Sequence, residues 1–186
     1  MATDSMAVKP SATRRKINFS TWAPLAALIV LIIISAFASP YFLAPRNLLN
    51  ITRQISYTGI IGLGMTLIII AGGIDLSVGS LVALAGGIAI LALNALGGGL
   101  PAVIAAILVA ILIGMLGGML NGTLVTIGRV APFIVTLGTM SIFRSLTLYL
   151  ANGGEYRSHS DLFPEFGTGL FWEVPIATWV FLALAI

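Results

Sequence analysis

Few side chains in this sequence can do chemistry, and each stands nearly alone. Asp75 is the one acid between Asp4 and Glu155. It lies in Ala71-Gly72-Gly73-Ile74-Asp75-Leu76-Ser77-Val78-Gly79-Ser80, directly after a glycine pair. Consecutive glycines disfavour a continuing helix, each by about 1 kcal/mol relative to alanine. Asp75 or Ser77 can then accept from the free N–H groups of a restarting helix, whose positive end also favours a carboxylate. A lone acid at membrane depth costs several kcal/mol unless it is paired or reaches water, so Asp75 is a functional candidate. A plain helix cap at the cytoplasmic boundary is the bland alternative, and both can hold at once.

A second break is expected from Asn121-Gly122 to Gly128-Arg129-Val130-Ala131-Pro132, since Pro132 lacks a donor and restricts the residue before it. Thr136, Thr139 and Ser141 follow on an apolar segment, where bonding back to their own helix is the ordinary reading and substrate contact the sharper one. Arg144 is expected to snorkel to an interface or meet a carbonyl. A pairing with Asp75 is the weaker alternative. His159 reads as solvated. No catalytic pair, phosphate loop or nucleophile elbow is present, no metal-ligand cluster is seen, and no cofactor is expected. Zero cysteines exclude disulfides and thiolate chemistry.

The elements that must position these groups follow from composition. Hydrophobic residues make up 59% and charged residues 8% of the chain, against roughly 25% charged in a soluble domain. Mean hydropathy is +1.10. No charge lies in residues 17–45, 54–74 or 76–128. Since about 20 apolar residues cross a bilayer and unpaired backbone is not tolerated there, these runs are read as helices. Barrel strands would alternate polar and apolar residues; Leu28–Ile34 does not. The fold class is therefore an all-α membrane protein, a polytopic helix bundle with broken helices.

Spans are expected at Trp22–Ser39, Ile55–Ala71, Ser77–Leu96, Leu100–Leu120 and Ala131–Ala151, with a sixth beginning near Val174 and cut short at Ile186. Residues 1–20 read as a basic cytoplasmic tail and 21–186 as the amino-terminal part of a transmembrane domain. Ala36-Phe37-Ala38 would also serve a signal-peptide cleavage site, but the apolar run is long for that. Lys9, Arg14, Arg15 and Lys16 precede the first run and place the amino terminus inside; Arg46 and Arg53 weigh against this. The net charge of +3 is scattered, which argues against nucleic acid. Small residues recur every fourth position from Ala102 through Ala106, Ala110, Gly114 and Gly118 to Gly122, which suits close helix packing within one subunit.

Ala71–Ser80, with Gly64-Met65-Thr66-Leu67 before it, resembles the permease family of ribose-type ATP-driven importers. Asn121-Gly122 followed by Ala131-Pro132-Phe133-Ile134-Val135-Thr136-Leu137-Gly138-Thr139-Met140 is similar to a second hallmark, and the likeness runs on to Asn152-Gly153-Gly154. Ala131 and Ser145 depart from the usual proline and glycine. The resemblance implies a transport subunit of the bacterial inner membrane, not an enzyme. It would work with a second permease subunit, separate ATP-binding subunits and a periplasmic sugar-binding protein that delivers pentoses, hexoses or related polyols. Asp75, Ser77, Asn121 and Thr136 are the expected translocation-path positions. Gly72, Gly73, Gly122 and Pro132 are the expected helix breaks, and the acidic 152–173 segment is a candidate contact for the binding protein. An ion-coupled secondary transporter using Asp75, or a non-transporting membrane scaffold, are the alternatives.

Overall fold

The computed structural model describes residues 19–186, so nearly all of the expected basic tail lies outside the described residues. They fall into two units, one ending at Leu48 and one beginning at Leu49. In the first, α1 runs over Phe19–Ala38, uninterrupted by Pro24. Pro45 then opens α2 (Pro45–Ile70), where its missing N–H is no loss. Asn47 Nδ2 secures the turn before it by donating to Phe42 O at 2.7 Å.

In the second unit, α3 (Val78–Ala95), α4 (Leu100–Thr126) and α5 (Pro132–Leu150) are the remaining long helices, with α3 packed against both α4 and α5. They meet through small side chains. Ala89 and Leu93 of α3 enclose Ala102, Val103 and Ala106 of α4, with Phe163 against the outside. A Cβ on Gly117 would run into the Leu81 side chain, and one on Gly87 would come within 2.6 Å of the Tyr156 ring. Such close approach is what holds helices together where lipid removes the hydrophobic incentive. The burial pattern fits that solvent. Ser56, Ser77, Asn121, Thr136 and Thr139 are buried, while Leu31, Leu108, Ile134 and many like them are exposed. Among the described residues four helices, α2 to α5, are long and apolar enough to cross a membrane; Trp22–Ala38 and Ile176–Ala185 are shorter apolar helices. The chain is an all-α, multi-pass membrane protein.

Residues 151–175 are more ordered than a loop. Tyr156 donates to Thr147 O at 2.7 Å, and Asn94 of α3 bonds the backbone of Arg157 and His159. A short helix, α6 (Leu162–Thr168), leads into a two-residue antiparallel pairing of β1 (Leu170–Phe171) with β2 (Val174–Pro175). Its turn, Trp172-Glu173, puts both residues at positive φ, 50° and 60°. That is the geometry of a tight hairpin, which more often uses Asn-Gly. α7 (Ile176–Ala185) then touches α2 at two places. Ser56 Oγ sits 2.9 Å from Thr178 Oγ1, and a Cβ on Gly59 would come within 2.6 Å of the Phe181 ring.

Two expected boundaries are corrected. The second span begins ten residues before Ile55, because the polar stretch Arg46–Gln54 finds partners and stays helical; Arg53 reaches Asn50 Oδ1 and Thr168 O. The fourth span does not end at Leu120. α4 continues through Asn121 and Gly122 to Thr126, so Gly122 is not a helix break. One glycine costs about 1 kcal/mol in a helix, whereas unpaired backbone groups in an apolar surround cost several kcal/mol. Continuing is cheaper.

Candidate functional site

The first interruption falls where the glycine pair stands. α2 ends at Ile70, Gly72 turns with φ 78°, and Gly73 N–H closes back onto Ile68 O at 2.9 Å. The chain then runs through Ile74, Asp75 and Leu76 before α3 begins at Val78. Asp75 closes that segment on itself. Its Oδ1 accepts from both the Ser77 N–H and the Ser77 hydroxyl, each at 2.7 Å. Ser77 is the residue before α3, but its hydroxyl does not cap the helix. It is spent on the carboxylate instead, which lies at the positive end of α3.

The second interruption is short, residues 127–131. Ile127 and Gly128 both donate to Thr123 O, and Arg129 takes the left-handed conformation with φ 52°. Pro132 starts α5 at its first position. A Cβ on Gly128 would stand 2.5 Å from Leu124 O, so only glycine permits this exit from α4.

Because both interruptions lie at the same ends of their helices, the candidate side chains converge. Asn121 of α4 donates from Nδ2 to Ser77 Oγ at 2.8 Å. Thr136 of α5 has its hydroxyl 2.9 Å from Pro132 O in its own helix and 3.3 Å from Ile74 O across the gap. The back-bonding reading of Thr136 thus holds, and its hydroxyl also touches the broken segment. Ser77, Thr136 and Asn121 are 0%, 3% and 6% exposed. Beside them opens a pocket of about 450 Å³. Asp75, Asn121 and Thr136 line it together with Gly72, Gly73, Gly122 and Pro132, so seven of the eight positions singled out from sequence border one cavity. Ser77 lies beneath, linking Asp75 to Asn121. Gly122 contributes as an open helical surface and not as a break.

Six members of this lining were not singled out from sequence: Ile68, Ala71, Ile74, Gly118, Val125 and Thr126. Val125 and Thr126 are helical lining residues only because α4 extends past Leu120. The pairing of Asn121 with Ser77, across 44 positions, has no local signal.

Other candidates stay outside. Arg144 is on the exposed side of α5 and forms no ion pair; the ion pair among the described residues is Arg157–Glu155, at 3.1 Å. Its suggested pairing with Asp75 does not occur. Thr139 and Ser141 bond to Val135 O and Leu137 O of their own helix. His159 is exposed, and among the described residues no three His, Cys, Asp or Glu side chains gather as metal ligands.

A family described as the permease component of branched-chain amino acid transport systems matches residues 47–185. The ribose import permease protein of Bacillus subtilis (strain 168) is 43% identical over 155 residues, covering 82% of this chain and 47% of that protein. The ribose import permease protein of Escherichia coli (strain K12) is 41% identical over 160 residues, covering 84% and 49%. The xylose transport system permease protein of the same strain is 36% identical over 140 residues, covering 75% and 35%. The chain thus spans about half the length, or less, of these relatives. No solved structure matches it.

Proposed function

Since the chain belongs to this permease-component family, we propose that it forms part of the translocation pathway of an ATP-driven sugar importer. The carrying observation is the pocket. In a chain with 8% charged residues, one carboxylate, one buried amide and one buried hydroxyl from three separate elements meet at a helix interruption. Transporters commonly build solute sites at such broken helices, where backbone and polar groups can line a cavity without facing lipid. The sequence carries no Gly-rich phosphate loop ending in lysine. In this reading ATP is bound by separate subunits, and their cycle shifts the balance between outward- and inward-open bundles.

In this reading the assembly contains a second permease subunit, ATP-binding subunits and a periplasmic sugar-binding protein. It resides in the bacterial inner membrane with the amino terminus cytoplasmic. The pocket then faces the cytoplasmic ends of α2 and α4, and residues 151–175 face the periplasm, where they are available to the binding protein. The sugar is a pentose or hexose, ribose being the first to test.

The experiment is uptake of labelled D-ribose into proteoliposomes holding the assembled importer. Uptake that requires ATP and survives collapse of ion gradients is expected. Asp75 has no ion-pair partner among the described residues, which is what favours a second reading, ion-coupled transport. Uptake that follows an ion gradient without ATP would establish that alternative and remove the first.

A further inference from the structure

One polar atom beside the pocket is left unused by the fold. Asn121 Oδ1 is buried and has no hydrogen-bond partner, although the same side chain donates from Nδ2 to Ser77. Its orientation is forced from the other end of the chain of bonds. The Ser77 proton is given to Asp75 Oδ1, so Ser77 Oγ can only accept from Asn121. Asn121 must therefore present its NH2 group to Ser77, and its oxygen is the end that remains. Asp75 thus acts on Asn121 through Ser77, as a positioning residue.

An amide oxygen buried without a donor is costly. The neighbouring donors cannot supply it. The Ser77 N–H and hydroxyl are spent on Asp75, and the Thr136 hydroxyl is spent on carbonyls. The pocket is short of donors and holds a carboxylate with no ion-pair partner among the described residues. Whatever completes it must bring donors of its own. Apart from Thr126, whose hydroxyl is spent on Gly122 O, the remaining wall is apolar, with Ile68, Ile74, Val125 and Pro132. That wall fits the C–H face of a molecule whose hydroxyls turn the other way. A metal cation fits poorly, with one carboxylate available and no ligand cluster among the described residues.

We propose that Asn121 is a specificity-determining residue: its Oδ1 accepts a hydroxyl proton from a polyol in the pocket as α4 yields slightly from Ser77. This rests on the sugar-permease reading above and assigns that pathway one hydroxyl-reading contact.

The test uses the assembled importer with D-ribose and the set of its mono-deoxy analogues. Each analogue's affinity for the delivery protein is measured by calorimetry, and uptake is compared with that protein saturated. In the unmutated importer, one analogue should be taken up at least about fivefold less efficiently than D-ribose, the effect of one lost buried hydrogen bond. In Asn121→Leu, D-ribose uptake should fall to the level of that analogue, while the analogue itself changes less than about twofold. A uniform loss across all sugars in Asn121→Leu would mean a structural role and overturn the proposal. So would unmutated importer that treats every analogue like D-ribose, a result independent of how the variant folds. Absence of any ATP-driven D-ribose uptake would overturn the functional reading and this inference with it. ATP-driven uptake without hydroxyl discrimination overturns this inference alone.

Discussion

Removing the Ser77 hydroxyl should destabilise the protein more than removing the entire Asn121 amide, although serine is much the smaller side chain. The hydroxyl makes two bonds, donating to Asp75 at 2.7 Å and accepting from Asn121 at 2.8 Å, and the residue is 0% exposed. In Ser77→Ala the carboxylate loses one of its two donors but keeps the backbone N–H of residue 77. Bonds to charged groups are worth about 1.5–3 kcal/mol, and the surviving N–H pulls this towards the lower end. Asn121, already lacking a partner for Oδ1, then loses its Nδ2 partner too. A buried donor left unsatisfied costs about 1–3 kcal/mol. Against these stands the membrane reference state, in which polar groups find other partners and interhelical hydrogen bonds average only about 0.6 kcal/mol. The burial of both residues favours the upper part of the range, because water cannot replace the lost bond. We expect about 2 kcal/mol for Ser77→Ala.

Asn121→Leu behaves differently. It removes the orphaned oxygen along with the donor, and Ser77 Oγ still donates to Asp75, so no new unsatisfied donor appears. We expect less than about 1 kcal/mol, since the cost falls mainly on buried groups left unsatisfied and here the orphaned Oδ1 leaves with the side chain. In the Asn121→Leu background, Ser77→Ala should cost about 1 kcal/mol less than in the unmutated chain, within the range seen for groups in one network. Reversible unfolding in mixed micelles, followed by helical circular dichroism, gives all three values. Asn121→Leu costing more than Ser77→Ala, or a coupling indistinguishable from zero, would refute the hydrogen-bond assignment.

Three further outcomes follow from the same contacts. Asp75→Asn in the assembled importer should lower uptake without affecting membrane insertion, because it removes the pocket's carboxylate charge while an amide oxygen can still accept both bonds from Ser77; unchanged uptake by transport assay would reduce Asp75 to a local turn residue. Gly87→Ala should cost about 1–3 kcal/mol by overpacking against the Tyr156 ring 2.6 Å away, measured by the same unfolding assay, and Tyr156→Leu should recover part of that loss. Because the chain has no cysteine, a single introduced thiol reports topology. Intact cells treated with a membrane-impermeant maleimide should label His159→Cys and spare Arg129→Cys, and the reverse pattern would invert the proposed orientation.

How much of this was legible in the sequence depended on whether the signal was local. The interruption at Gly72-Gly73 could be read because two adjacent glycines and a following Asp-x-Ser make a turn from neighbouring residues alone. Asn121-Gly122 carries an equally familiar turn signal, yet the backbone there stays helical. In water a freed carbonyl is hydrated at little cost; in an apolar surround it is not, so a signal calibrated on soluble turns overstates the break. The actual exit comes at Gly128, where glycine is needed against Leu124 O and Pro132 begins the next helix. The hairpin at Trp172-Glu173 had no signal, because its two positive-φ positions carry neither glycine nor asparagine. Long-range pairs, Asn121 with Ser77 and Ser56 with Thr178, were invisible for the plain reason that a single sequence lists no partners.

The small-residue spacing on α4 explains why Asn121 in particular faces the broken segment. A step of four residues advances about 400°, so a stripe at that spacing rotates away from any straight neighbour. Ala102 and Ala106 are buried against α3, but the later members Gly118 and Gly122 have turned out to the pocket. The buried seam itself continues on Gly117 and Asn121. From Ala106 to Gly117 is eleven residues, close to three whole turns, and an eleven-residue step nearly preserves direction along a helix. Two registers thus diverge on one helix: one keeps α4 against α3 and carries Asn121 to Ser77, and the other opens a glycine-lined surface beside it. The contact that orders the amide and the cavity in which it can act arise from the same helix geometry, so a bulky residue at Gly117 should disturb both, whereas one at Gly118 should fill the cavity and leave the Asn121–Ser77 bond in place.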